Sequence, residues 1–178
     1  MPVDDGRMAH MDKPARLLEL AREIASAIPD FGKVKGPGAG DRATQSFMRK
    51  LGDRAHKAFG EDHSEKKICG DNKFAVDFYF PEEATIVEVA LGLPNPASEY
   101  EKDILKALMA QDLGHEVRRL FFISRPGAAK KCSEPGRDAL TQWAAKHQLA
   151  IEVHELAGDL AGAGGIHPCD ALRSDGTA

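Results

Sequence analysis

The chain has 178 residues, enough for one domain with a sizeable core, and its 42% hydrophobic and 29% charged content is that of an ordinary globular protein. A formal charge of −4 argues against strong non-specific affinity for nucleic acid, while leaving room for a local basic patch or for an enzyme that binds its substrate through a metal. No apolar run approaches the roughly 20 residues that span a bilayer, residues 1–13 lack an apolar signal core, and Cys69, Cys132 and Cys169 form no zinc-type pairs, so a reducing cytoplasm is expected.

Residues 1–13 read as a flexible tail. From Pro14 to about Ile28, Leu17, Leu20, Ala21, Ile24 and Ile28 recur at helical spacing, and Pro29 and Gly32 stop the pattern. The stretch Gly32 to Gly40 is a Gly/Pro linker without the Gly-Lys-Ser/Thr ending of a nucleotide-binding loop, so residues 14–41 form an accessory helix and linker. A second helix is expected from Arg42 to Ala58 with Phe47, Met48, Leu51 and Ala55 inward, and Ser64 to Gly70 reads as a charged first strand. Two further strands follow, Phe74–Phe80 and Thr85–Leu91, then a turn-rich loop from Gly92 to Ser98. A helix from Glu99 to Leu113 has Tyr100, Ile104, Leu105, Ala107 and Leu108 on its apolar side. Arg118–Ser124 fits a buried strand. Arg137–Gln148 fits a helix with Leu140, Trp143, Ala144 and His147 on one face, where His147 is expected to be a packed core residue. Ala150–Leu156 alternates as a last strand, and residues 157–178 read as a flexible tail. The order gives an α/β domain over residues 42–156, in which an antiparallel hairpin and a βαβ crossover build a mixed central sheet flanked by helices.

The two central strands carry the best clue to function. A four-residue turn, Pro81 to Ala84, pairs Phe80 with Thr85, Phe78 with Val87 and Asp77 with Glu88. Alternation sends both carboxylates to one face with Ala75, Tyr79, Ile86 and Ala90. Like charges opposed at roughly 4.5–5.5 Å between Cβ atoms are destabilising, and a divalent cation is the plain reason to keep them. Mg²⁺ takes carboxylate and carbonyl oxygens and keeps several waters.

This order, with Val76-Asp77 on one strand and Glu88-Val89-Ala90 on the next, resembles the restriction-endonuclease-like, or PD-(D/E)XK, nuclease superfamily. The resemblance covers about Arg42 to Leu156. It implies a nuclease-like core in which Asp77, Glu88 and the carbonyl of Val89 hold Mg²⁺ or Mn²⁺, and in which the substrate is nucleic acid, DNA foremost. The family's lysine belongs two residues after the glutamate, where this chain has Ala90. A replacement is sought on the following helix, where Glu99, Lys102, Asp103 and Lys106 form one stripe. Either that stripe is a solvated face, or its first turn overhangs the metal; Lys102, nearer the helix start, is the first choice for the missing catalytic lysine and Lys106 the second. Lysine installed at Ala90 is expected to preserve or raise activity. Lys50, Arg54 and Lys57 on the second helix either track a phosphate backbone or form an ordinary solvated row. The competing reading is a catalytically inactive nuclease-fold module that binds nucleic acid or protein, and a structural domain without a site is a third. A homodimer is left open, and no membrane association is expected.

Overall fold

A computed structural model describes residues 12–29, 31, 42–94 and 99–156. The expected tails before residue 12 and after residue 156, the whole Gly/Pro linker, and residues 95–98 of the turn-rich loop lie outside the described residues.

The elements run α1 (Lys13–Ser26), α2 (Arg42–Phe59), β1 (Ser64–Lys66), β2 (Val76–Phe80), β3 (Thr85–Val89), α3 (Glu99–Asp112), β4 (Arg119–Ser124), α4 (Ala128–Cys132), α5 (Pro135–Lys146) and β5 (Ala150–Glu155). They build an α/β domain around a five-stranded mixed sheet in the order β1-β2-β3-β4-β5. The first three strands form an antiparallel meander, and β3, β4 and β5 run parallel. Among the described residues no helix is long and apolar enough to cross a membrane.

The β2–β3 hairpin has the register that alternation and turn length demand: Phe80 opposite Thr85, Tyr79 opposite Ile86, Phe78 opposite Val87. Its turn closes through Ala84 N–H donating to the Pro81 carbonyl at 3.1 Å, with Ala84 at φ +47°. The Ala84 carbonyl then accepts from the amides of Arg118 and Arg119, fastening the turn to the start of β4. Period-two alternation sorts the side chains into two layers. Phe78, Phe80, Val87, Phe121 and Ile123 pack under α1 and α2 through Leu17, Leu20, Ala21, Ile24, Phe47 and Leu51. Tyr79, Ile86, Ala90, Leu120 and Phe122 pack on the other face under α3, against Tyr100, Ile104, Ala107 and Ala110.

Several expectations change. The strands are shorter than read, most of all β1, which keeps three residues of the seven expected (Ser64 to Gly70). The segment after Pro126 holds a short helix, α4, too brief at five residues to show an apolar period. On α5, Ala144 and Arg137 are buried, but Trp143 is 45% exposed and His147 is exposed beside it, with ring centroids 4.6 Å apart. His147 is therefore a surface residue, and the expectation of a packed histidine is corrected. The helix docks through a small side chain and a guanidinium: Arg137 donates to the Leu93 carbonyl at 2.8 Å and lies 5.4 Å from the Tyr100 ring centroid.

Candidate active site

Asp77 and Glu88 stand on the adjacent strands β2 and β3, one step beyond the last paired rung. There the side chains complete what the ladder leaves open. Asp77 Oδ2 accepts from the Val89 amide at 2.7 Å, and Glu88 Oε2 accepts a long bond from the Asp77 amide at 3.4 Å. Val89, expected to offer its carbonyl to a cation, is thus fixed through its amide by one of the two carboxylates.

Glu88 is buried, at 2% exposure, and on its other side its register partner in β4 is Phe122. Loss of water raises its carboxyl well above the ordinary range; the Asp77 and Asp103 charges push it further, and Lys106 pulls back only in part. Asp77 is half-buried and also raised by desolvation, against which the Val89 N–H acts.

The third group comes from α3, and it is Lys106. Its ammonium lies 2.7 Å from Glu88 Oε1 and 2.9 Å from Asp103 Oδ1, and it donates to the Ala75 carbonyl at 3.0 Å. Burial alone would lower this ammonium, but the Glu88 and Asp103 carboxylates outweigh it and hold the group above the usual lysine range. Glu88 Oε1 and Asp103 Oδ1 are both buried, and the ion pairs with Lys106 are what compensates them. Lys102, the first choice from the sequence, is exposed. The charged stripe is accordingly split: Asp103 and Lys106 face the sheet with Tyr100, Ile104, Ala107 and Ala110, and Lys102 faces water. Leu105, expected inward, is 50% exposed.

Elementary geometry explains why the later lysine arrives. From Glu88 the chain leaves β3 at Val89 and enters a turn in which the Leu93 amide donates to the Ala90 carbonyl at 3.2 Å. After the loop, α3 returns over the same face, and seven residues from Glu99 bring it back by about 10.5 Å at helix rise. Lys106 is then level with Glu88, whereas Lys102 is still about 6 Å short along the axis. The start of α3 lies close to the strand exit, since a Cβ built on Gly92 would meet Glu99 Oε2 at 2.7 Å.

Asp77 also borders an open groove of about 880 Å³ between α2 and β1. Of the basic row expected to meet nucleic acid, Lys57 lines this groove together with Arg49 and His56. Lys50 and Arg54 are exposed but do not line it, and Arg54 pairs with Glu23 of α1 at 2.8 Å. Asp53, Asp62 and Glu65 share the rim, which makes its charge mixed. Among the described residues no three His, Cys, Asp or Glu side chains converge as a metal-ligand set. The carboxylates of the type a hard cation takes are the adjacent Asp77 and Glu88, of which Glu88 Oε1 already faces the Lys106 ammonium at 2.7 Å.

Ala90, in the position of the absent motif lysine, is 5% exposed and packed in the cluster of Tyr100, Ile104 and Ala107. A lysine there meets filled space and a second ammonium, which replaces the expectation of preserved activity. Ala90→Lys is expected to cost about 1–3 kcal/mol from overpacking alone, read as a lower urea midpoint. Ala90→Lys/Lys106→Ala, which removes the competing ammonium, is expected to recover part of that loss. No family model matches the chain, and no curated protein or solved structure matches it.

Proposed function

We propose that the chain is a metal-dependent phosphodiesterase of the restriction-endonuclease-like class, acting on nucleic acid and foremost on DNA. The observation that supports this reading is the Lys106 ammonium 2.7 Å from Glu88, which gathers an Asp, a Glu and a Lys at one spot although no local motif supplies the lysine. Asp77 and Glu88, with the Val89 carbonyl, would hold Mg²⁺ or Mn²⁺. When bound, such an ion supplies a nucleophilic water and screens the charge that builds on the phosphoryl oxygens.

The chain's own residues do the rest. Asp77, anchored on the Val89 amide, keeps the donor pair from splaying. Lys106, paired with two carboxylates, stays an ammonium at neutral pH, so it acts as a hydrogen-bond donor and a fixed positive charge. It orients the attacking water and stabilises charge on the phosphate as the P–O ester bond breaks. It does not serve as the base. Arg49, His56 and Lys57 along the groove would meet the flanking phosphates.

The test is cleavage of labelled single- and double-stranded DNA and RNA with Mg²⁺ or Mn²⁺, before and after chelation. Cleavage is expected only with metal. In Asp77→Asn it should fall by about 10²-fold or more, the size of several kcal/mol of lost charge stabilisation. Stability should change little, because the asparagine oxygen still accepts from Val89. Absence of cleavage on every substrate with either metal would leave the rival, an inactive module of the same fold. That rival draws on a separate observation: Leu105, Leu113 and Trp143 are 50%, 54% and 45% exposed on the α3–α5 surface, apolar area of the kind partner proteins cover.

A further inference from the structure

Resting on the reading above, we propose that Asp103 is a positioning residue that holds the Lys106 ammonium against Glu88, and that it is not a third ligand for the metal. Asp103 is 4% exposed, an unusual position for a carboxylate within a helix. One helical turn separates it from Lys106, and its Oδ1 lies 2.9 Å from the ammonium.

Lysine is a flexible four-carbon stem, and a single partner leaves its head free to swing. Here three partners surround the head from different elements: the Ala75 carbonyl before β2, Glu88 on β3 and Asp103 on α3. The first two belong to the sheet and to the segment that enters it. Only Asp103 travels with the lysine's own helix, so it presets the side chain before the sheet contacts are made. The metal-ligand alternative is disfavoured by the geometry, since among the described residues no third acidic side chain converges with Asp77 and Glu88. Charge points the same way. Asp103 balances Lys106, and the two charges of Asp77 and Glu88 remain for a divalent ion.

The experiment uses the full chain without metal and follows the lysine side-chain ammonium signals by ¹H–¹⁵N NMR, with Asp103→Asn compared with the wild type. The wild type is expected to show one slowly exchanging ammonium, that of Lys106, and Asp103→Asn to lose it while the backbone spectrum stays folded. Exposed Lys102 gives no protected signal in either protein. This measurement is independent of cleavage, so it stands even where the phosphodiesterase reading fails. With cleavage in hand, Asp103→Asn is expected to lower kcat by about 10- to 100-fold, the usual size for a supporting partner of a reactive group. KM should stay unchanged, since the residue meets no substrate. A Lys106 ammonium that remains ordered in Asp103→Asn overturns the proposal. So does a folded variant with unaltered kcat, which would reduce Asp103 to a structural ion pair.

Discussion

Lys106→Met is expected to lower the free energy of unfolding by about 3–5 kcal/mol, a large share of the 5–15 kcal/mol that holds a typical domain. The reason is what remains behind. Methionine fills the volume of the stem, but Glu88 and Asp103, at 2% and 4% exposure, lose the one positive charge that lies within ion-pair distance of them among the described residues. The Ala75 carbonyl loses its ammonium donor as well. Neutralising the stranded acids in Lys106→Met/Glu88→Gln/Asp103→Asn is expected to return most of the loss, and the departure from additivity measures the coupling. Lys102→Met, at an exposed position, should stay within about 0.5 kcal/mol of the wild type. Cleavage by Lys106→Met, assayed well below its unfolding midpoint, is expected to fall by about 10²–10³-fold, as when a donor to developing charge is deleted. Lys102→Met should cut normally. Urea titration and single-turnover cleavage check the two halves separately. A stable, active Lys106→Met protein would remove this lysine from both fold and chemistry.

The hairpin was legible because strand alternation has period two, and a short turn leaves one register that buries Phe78, Phe80 and Val87 together. The two carboxylates came with it. The third member of the site was harder to read, for a physical reason. On α3 the bulky Leu105 and Leu108 drew the expected apolar side toward themselves, yet the helix docks through Tyr100, Ile104, Ala107 and Ala110. Small alanines mark where a helix approaches a sheet closely, and Asp103 and Lys106 lie on that side by helical spacing. Charge count alone reads the same residues as solvated, because buried lysine and aspartate are rare unless they pair. The sequence placed Lys102 nearer the helix start and so favoured it; Lys106 is favoured only once the start of α3 is seen to lie beside Gly92. What no periodicity could supply was the pairing itself: Glu88 attracts a lysine and the lysine requires a second acid, and that exchange becomes visible only in three dimensions.

Glu88→Gln is expected to abolish stabilisation by metal and cleavage together, and to weaken the fall of metal-free stability with rising pH. In the wild type the Glu88 carboxyl is raised by burial first and by the Asp77 and Asp103 charges next. A carboxyl raised on folding binds its proton more tightly in the native state than in the unfolded one. Its contribution to stability is therefore complete below the unfolded value of about 4.3 and is lost as pH rises through the raised native value. Metal-free protein should thus melt lower at pH 8 than at pH 5 by this component. A divalent cation between Asp77 and Glu88 replaces the proton, so Mg²⁺ or Mn²⁺ should raise the melting temperature most at the higher pH. At a metal concentration about 100 times the dissociation constant, linkage gives about 2.7 kcal/mol. Glutamine keeps the shape and an oxygen for the Asp77 amide but carries no titratable charge. It should flatten this part of the pH dependence, remove the metal shift and reduce cleavage by at least about 10³-fold, since both the ion and its water lose their anchor. Calorimetric melting of both proteins at pH 5 and pH 8, with metal and with chelator, separates the causes. Equal metal shifts in the wild type and in Glu88→Gln would mean that the cation binds elsewhere. A metal-free melting temperature that rises toward pH 8 in the wild type would mean that Lys106 already satisfies Glu88 in full, and that the acidic pair needs no cation to persist.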